Sequence, residues 1–211
     1  MKKVTALSAI FLALAGGAFS SSALASYGKG DIYTRVGVAK VDPKSDNGNF
    51  NSIGVSDVDV DSDRGAAFTL GYRFMDKVGI ELLAAEPFEH DIALDGANIA
   101  STKHLPPTLT VQYYPLGGTT SPVQPYAGVG VNYTHFSDEH VNGGNLELDD
   151  SWGVAAQLGV DLLLDDHWAL NAAAWYLDID TDATATIGGS SYDTTVDIDP
   201  LVVMGGISYR F

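Results

Sequence analysis

Hydrophobic and polar residues alternate along most of this chain, which is the period of a β-strand with one apolar and one polar face. Stretches of about ten residues or more, apolar at every second position, are separated by clusters of Gly, Asp, Asn, Ser and Pro. The pattern predicts eight strands. Their expected ranges are 30–42, 63–75, 77–90, 101–115, 124–137, 149–164, 168–186 and 193–211.

The connections between these strands alternate in length, short at one end of the sheet and mostly longer at the other. This alternation is typical of an outer-membrane barrel, in which the short turns are periplasmic. A soluble β-sandwich also alternates, but here the outward aromatic residues gather near strand ends, as two interfacial girdles would. We therefore predict an all-β fold, an eight-stranded antiparallel up-and-down transmembrane β-barrel.

The first residues have the pattern of a secretory signal peptide. Two lysines precede an apolar run from Val4 to Phe19, and the small-residue motif Ala23-Leu24-Ala25 follows it. We interpret residues 1–25 as a cleaved signal peptide and residues 26–211 as the barrel domain. A membrane anchor is the alternative, and the short, glycine-containing run without a positive stop signal disfavours it.

The predicted mature chain is strongly acidic. Two of the 11 basic residues lie in the signal peptide, so nine remain against 27 acidic residues, a formal charge of −18. This excess of negative charge argues against a nucleic-acid partner. The chain has no cysteine, so the exported protein must be stable without disulfides or cysteine-ligated zinc.

Strand alternation also predicts which side chains point into the barrel. Near the periplasmic ends, the inward positions are charged, and eight strands leave an interior only just filled by side chains. Charges in so narrow a space must be paired or hydrated. We predict that these residues form a polar, ion-paired plug across the periplasmic half of the lumen. They are Arg35, Arg73, Glu81, Asp161 and Arg210.

Further from the periplasm, the inward positions become apolar. The main ones are Leu83, Trp175, Leu177 and Met204. A general porin lines its bore with polar groups, so this arrangement indicates an apolar funnel above a closed base. The alternative interpretation is that these side chains only pack the core of a small barrel.

Three prolines fall in the upper half of one predicted hairpin. They are Pro87 in the third strand and Pro106 and Pro107 in the fourth. Because proline donates no backbone hydrogen bond, it interrupts a strand ladder. We predict a local break in wall pairing there and a lateral opening, with a simple bulge or a strand end above the membrane as the alternative.

Other motifs give weaker indications. The alternating aspartates of SDVDVDSD, residues 56–63, are suited to Ca²⁺ or Mg²⁺ by chemistry, but they lack the glycine turn and terminal glutamate of a calcium loop. We interpret them as a solvated acidic rim on strands that extend above the membrane. The five histidines lack zinc-like spacing, and no distinctive Ser/His motif is present. We therefore predict no metal site, no cofactor and no enzymatic activity.

Several stretches together resemble the OmpW/AlkL family of outer-membrane proteins, in the right order through nearly the whole mature chain. They are GIELLAAEPFEH, HLPPTLTVQYYP, QPYAGVGVNYTHF, DSWGVAAQLGVDLLL, WALNAAAWYLDID and the closing SYRF. The resemblance implies an eight-stranded barrel for passage of small hydrophobic molecules, with a hydrophobic lumen closed toward the periplasm and a side exit into the bilayer. It also implies that Leu83 and Trp175 occupy the channel constriction. Residues 43–62 and 138–148 match less well.

We therefore expect a channel for passive uptake of small hydrophobic molecules in the outer membrane of a Gram-negative bacterium. Solutes would enter the apolar outer lumen and leave laterally into the bilayer above the plug. The alternative is a non-transporting barrel that presents acidic surface loops to a partner. The expected partners are outer-membrane lipid and hydrophobic solutes. The end of the chain at Phe211 also resembles the terminal strand that outer-membrane assembly machinery recognises.

Overall fold

The computed structural model describes most of the predicted mature chain as β-strands joined by turns. The described ranges are 27–44, 58–85, 88–94, 97–105, 107–141, 144–187 and 189–211. Side chains are described in these ranges except at 58–60, 88–94, 97–105, 138–141, 144 and 187. No helix among these residues is long and apolar enough to span a membrane.

The described residues form fourteen strands. They are β1 Ile32–Asp42, β2 Val58–Val60, β3 Asp63–Met75, β4 Val78–Ala85, β5 Phe88–Leu94, β6 Ala97–Leu105, β7 Thr108–Tyr113, β8 Val123–Val141, β9 Gly144–Leu148, β10 Ser151–Leu163, β11 Trp168–Leu177, β12 Asp180–Ile187, β13 Ser190–Asp197 and β14 Leu201–Arg210.

Eight of these strands close into an antiparallel barrel, which confirms the predicted fold. Their order around the wall is β1, β3, β4, β7, β8, β10, β11 and β14. The last strand pairs back onto the first, with Tyr33 opposite Arg210. Each of these eight wall strands therefore pairs with the wall strand that precedes it and the wall strand that follows it along the chain, as in an up-and-down barrel.

The ladder registers set the tilt of the strands. Starting at Trp175, the paired positions lead through β10, β8, β7 and β4 to Arg73 on β3. In the other direction, they lead through β14 and β1 to Asp63 on the same strand, ten residues away. This offset of ten residues is the shear number of the barrel, and it corresponds to a strand tilt of about 40°. Paired residues on neighbouring strands therefore differ in height along the barrel axis by about 3 Å.

Alternation along the strands separates the two faces of the wall as the sequence predicts. Outward apolar side chains such as Leu70, Val129 and Leu158 are exposed on the outer surface. The inward neighbours Thr69, Gly128 and Gln157 are buried. Aromatic side chains are also exposed on this surface near strand ends. They include Tyr72, Phe74, Tyr113, Trp152, Trp168, Tyr176 and Phe211.

The remaining six strands continue beyond the apolar band and change the predicted boundaries. β5 and β6 pair with each other, with β2 at one side and the outer end of β8 at the other. β9, β12 and β13 form a separate three-stranded sheet. Alternation of apolar and polar residues persists here, so ladder pairing extends into regions 91–100 and 138–148, which the sequence pattern indicated as loops.

Four predicted strands are each divided in two. They are 77–90, 101–115, 168–186 and 193–211. Between β13 and β14, Asp199 has a φ of 36° and precedes Pro200, a backbone conformation that interrupts a ladder. Between β6 and β7, the chain passes through Pro107, which has no backbone N–H to donate.

Candidate functional site

A buried ionic network crosses the periplasmic half of the barrel. Arg35 on β1 forms ion pairs with Glu81 on β4 and Asp161 on β10. Its Nη2 lies 2.6 Å from Asp161 Oδ2 and its Nε lies 3.2 Å from Asp161 Oδ1, so this pair is bidentate. All three side chains are almost completely buried. The strands that carry them lie on different sides of the wall, so the network spans the lumen.

Neutral side chains saturate the carboxylates of this network. Glu81 Oε1 accepts hydrogen bonds of 2.8 Å from Gln112 Nε2 and from Gln157 Nε2. Glu81 Oε2 accepts from Arg35 and, at 2.9 Å, from Thr69 Oγ1. Every contact on the Glu81 carboxylate therefore comes from a donor. Such complete hydrogen bonding is what allows charge to be retained in a low-dielectric interior.

Two tyrosine rings enclose the guanidinium of Arg35. Its Cζ lies 4.4 Å from the ring centroids of both Tyr33 and Tyr126, within cation–π range. Two glycines make room for these rings. A Cβ on Gly71 would lie 2.1 Å from the Tyr33 ring, and one on Gly159 would lie 2.3 Å from the Tyr126 ring. We call Arg35, Glu81, Asp161, Gln112, Gln157, Tyr33 and Tyr126 the Arg35 network.

The other two arginines predicted for the plug lie outside this network. The Cζ of Arg73 is 3.5 Å from the ring centroid of Tyr114, and within the described ranges its Nη1 and Nη2 have no hydrogen-bond partner. Arg210 lies nearer the periplasm, where it pairs with Asp31 at 3.3 Å and packs against the ring of Tyr27. The five residues are all buried, but they form two layers rather than one ion-paired cluster. That they close the lumen to solutes stays a prediction.

The predicted constriction residues come together above the Arg35 network. Leu83, Trp175, Leu177 and Met204 are at most 4% exposed and belong to one apolar cluster. Trp175 on β11 and Leu83 on β4 lie four strands apart in a ring of eight, on opposite sides of the lumen. These side chains are therefore packed together at this level, and their role as a channel constriction stays a prediction.

The upper lumen also has a polar side that the sequence analysis did not predict. Asn132 Nδ2 donates to Thr108 Oγ1 at 2.9 Å, and Thr134 Oγ1 donates to Asn132 Oδ1 at 2.7 Å. All three side chains are buried. They belong to β7 and β8, so one sector of the wall is polar at the level where the rest is apolar.

The ladder register changes by one residue where the prolines were noted. The last ladder pair of β4 and β7 is Leu83 with Thr108, and pairing resumes between β5 and β6 at Phe88 with His104, offset by one residue. Ala84 and Pro107 are the next described residues on the two strands, and no ladder pair joins them to each other. We call residues 84–87 and 105–107 the β4–β7 seam. Pro87 and Pro106 lie outside the described residues.

The walls on both sides of this seam remain paired. β3 and β4 are paired as far as Ala67 with Ala85. β8 keeps a single register past the prolines, from Asn132 opposite Thr108 to His135 opposite Leu105. The register change between β4–β7 and β5–β6 lies at the level of the predicted constriction, and a local break in pairing and a lateral opening there stay predictions.

An acidic cluster lies above the barrel. Carboxylate oxygens of Asp178, Asp180 and Asp199 lie within 4.8 Å of one another, a spacing that could hold a cation. The Lys44 amine already pairs with Asp199 at 3.0 Å and with Asp197 at 3.3 Å. Burial alone would lower the pKa of Lys44, but its hydrogen bonds to these two aspartates raise it. Burial and the negative charges of Asp197, Asp199 and Asp178 raise the pKa of Asp180.

Sequence reasoning missed most of the neutral partners of the Arg35 network. Alternation identified Gln157 as inward, and the same rule places Tyr33 two residues before Arg35 on the same face. A tyrosine near a strand end is also typical of an interfacial girdle on the outer surface, so tyrosine alone does not indicate a lumenal side chain. Glycines on the inward face of neighbouring strands, such as Gly71 and Gly159, are the available signal that a large ring lies inside.

A closed antiparallel barrel with an apolar outer surface and a polar network inside is an outer-membrane β-barrel protein. The chain belongs to the OmpW family, whose model matches residues 28–211. It is 42% identical to outer membrane protein W of Vibrio cholerae over 207 residues, 92% of this chain and 94% of the relative. It is 40% identical to outer membrane protein W of Escherichia coli K12 over the full length of both.

Solved structures agree with this assignment. The crystal structure of the outer membrane protein OprG from Pseudomonas aeruginosa matches with a TM-score of 0.81 at 42% identity, covering 88% of this chain and 98% of that one. The solid-state NMR structure of outer membrane protein AlkL shares the fold, with a TM-score of 0.71 at 24% identity over 93% of this chain and 97% of that one. The protein therefore lies in the Gram-negative outer membrane, in contact with its lipid.

Replacement of Glu81 by Gln tests the stability contributed by the Arg35 network. All four partners of the carboxylate are donors, so the amide nitrogen of Gln must face at least one of them, and Arg35 loses one of its two counter-charges. We expect the free energy of unfolding to fall by about 3–5 kcal/mol. The measurement is a denaturant titration of the barrel folded into lipid vesicles.

The matched control is Asp31→Asn, which removes the partner of Arg210 at the periplasmic end. Arg210 keeps its hydrogen bond to the Asp166 carbonyl and Asp31 is only half-buried, so a decrease of about 1 kcal/mol is expected. Equal effects of the two substitutions would show that the Arg35 network contributes no more than a peripheral pair.

Proposed function

We propose that this protein is a channel for the passive uptake of small hydrophobic molecules across the outer membrane. Solutes enter from outside, reach the apolar side of the upper lumen, and leave sideways into the bilayer above the Arg35 network. The family resemblance supports this class of solute. The path contains no chemical step, so no catalytic residue or cofactor is invoked.

The observation that carries the proposal is the change in lumen chemistry along the barrel axis. The Arg35 network lies below, and the apolar cluster of Leu83, Trp175 and Met204 lies directly above it. An apolar solute is stabilised by the apolar cluster and would have to displace hydrogen-bonded charges to continue downward. The layering therefore favours an exit through the wall over passage to the periplasm.

The β4–β7 seam is the proposed exit. It lies at the level of the constriction, and Ala84 and Pro107 are half-buried on the outward face of their strands, next to lipid. Opening a wall between paired strands would break ladder hydrogen bonds in a medium that cannot replace them. At the seam, the register changes by one residue and Pro107 has no N–H to donate, so opening there should break fewer hydrogen bonds than opening a continuous ladder.

A non-transporting barrel is the second candidate, and the burial of all four constriction side chains favours it. In that case, the apolar cluster is only a packed core that supports the acidic sheet above the membrane. The two candidates differ in the effect of lumenal substitutions on solute entry, because a packed core carries no solute.

Charge placed at the constriction should block the channel. We expect Leu83→Glu and Trp175→Glu each to lower the initial rate of N-phenyl-1-naphthylamine uptake by cells about tenfold or more, since about 1.4 kcal/mol of added barrier is enough for that effect. Uptake is followed by the fluorescence of this hydrophobic probe. Heat-modifiable mobility on gels verifies that each barrel is folded.

Thr195→Glu is the matched control, since Thr195 is exposed on β13 outside the lumen. Its uptake rate should equal that of the unmodified protein. Unchanged uptake in the folded Leu83 and Trp175 variants would contradict the channel and favour the non-transporting barrel.

A disulfide across the β4–β7 seam should close the exit. The chain has no cysteine, so cysteines introduced at Ala84 and Pro107 form a single defined pair. We expect oxidation of this variant to abolish most probe uptake and reduction to restore it. The control pair, at Val38 and Gly205, joins exposed ladder partners of β1 and β14 at about the same level. Equal uptake by the oxidised and reduced seam variant would exclude this seam as the exit.

A further inference from the structure

Trp175 carries a buried hydrogen-bond donor for which no described residue supplies an acceptor. The side chain is 1% exposed, and its Nε1 has no hydrogen-bond partner in the part of the chain that the structure describes. Buried tryptophan N–H groups usually have a partner, since an unpaired donor in an apolar environment is unfavourable. Packing of the lumen alone does not require this donor, because an aromatic ring without one fills similar space.

The neighbours of Trp175 explain why its N–H is unpaired. Its ladder partner on β10 is Gln157, but the Oε1 of that amide already accepts from Thr110 and Gln112 at 2.8 Å. On the other side, its ladder partner is Val202, which offers no side-chain acceptor. The acceptors nearest to Trp175 along the ladder are thus either committed to the Arg35 network or absent.

Polar groups also occur across the lumen from Trp175. Counted along the ladders, Thr108, Asn132 and Leu83 lie within about 4 Å of the level of Trp175 along the barrel axis. Thr108 and Asn132 are hydrogen-bonded to each other and form the polar side of the upper lumen. A molecule at this level meets apolar groups over most of its surface and polar groups at two points.

We propose that the constriction selects apolar molecules that carry a hydrogen-bond-accepting oxygen, such as ketones, esters and ethers, over pure hydrocarbons. The oxygen accepts from Trp175 Nε1, and the apolar remainder contacts Leu83, Met204 and their neighbours. This inference rests on the proposed channel and names its solute class. Trp175 then acts as a specificity-determining residue, in addition to narrowing the lumen.

The indole signals of the protein in lipid nanodiscs test this directly. The chain has three tryptophans, so ¹H–¹⁵N spectra contain three indole resonances, of which those of Trp152 and Trp168 report on the exposed outer surface. Two probes of equal length, 2-nonanone and nonane, differ only in the carbonyl. We expect 2-nonanone to move the Trp175 indole proton downfield, nonane to leave it nearly unmoved, and Trp152 to respond equally to both.

Trp175→Phe supplies the second measurement, since Phe keeps an aromatic ring and removes the N–H. A neutral hydrogen bond corresponds to a change of about fivefold in affinity. The preference for 2-nonanone over nonane, measured by displacement of N-phenyl-1-naphthylamine, should fall about fivefold in this variant. The affinity for nonane should not change.

The other outcomes separate this inference from the channel itself. If both probes perturb the Trp175 signal equally, or if Trp175→Phe keeps the preference for 2-nonanone, solutes reach the lumen but Trp175 Nε1 does not donate to their oxygen. If neither probe perturbs Trp175 while Trp152 responds to both, apolar solutes do not enter the lumen, and the proposed channel fails together with this inference.

Discussion

The ion pairs of Arg35 with Glu81 and Asp161 determine how the rest of the lumen is arranged. A charge inside so narrow a barrel is unfavourable unless other groups compensate it, and around Arg35 each carboxylate oxygen accepts hydrogen bonds and the guanidinium lies between two tyrosine rings. Gln112, Gln157, Thr69 and Asn171 supply the hydrogen bonds. Two inward glycines leave space for the tyrosine rings that enclose Arg35. The side chains of this one network therefore occupy much of the periplasmic half of the lumen.

The hydrogen bonding of the Arg35 network also affects the upper lumen. The amide of Gln157 is used by the Arg35 network, and within the described ranges the indole of its ladder partner Trp175 has no acceptor. Directly above this network, the inward side chains Leu83, Leu177 and Met204 are apolar. The change of ladder register at the β4–β7 seam lies at the same height. A buried ionic network, an apolar cluster above it and a change of ladder register beside that cluster therefore occur together in one barrel.

Alternation in the sequence was sufficient to predict the wall and the faces of its strands, because a membrane barrel requires apolar residues outside and a period of two. It placed Arg35, Glu81 and Asp161 correctly in the lumen. It did not separate Arg73 and Arg210 from them, because alternation gives the face of a side chain and its approximate level but not the partner it reaches. Arg73 stacks on Tyr114, and Arg210 reaches Asp31 in the segment before β1. Alternation places Thr108 and Asn132 on the inward faces of their strands, but it did not predict that they bond to each other at a level where most inward residues are apolar.

The path of a solute can be measured directly by photo-cross-linking. An alkyl diazirine probe is added to the protein in lipid nanodiscs, irradiated, and the modified residues are identified by mass spectrometry. If solutes reach the apolar cluster of the upper lumen, adducts occur on Leu83, Trp175 and Met204. If they leave through the β4–β7 seam, adducts also occur on Ala84 and Pro107. Tyr33 and Tyr126 of the Arg35 network should carry none. Adducts that continue through the Arg35 network to the periplasmic end, or that are confined to the outer surface of the barrel, would contradict this path.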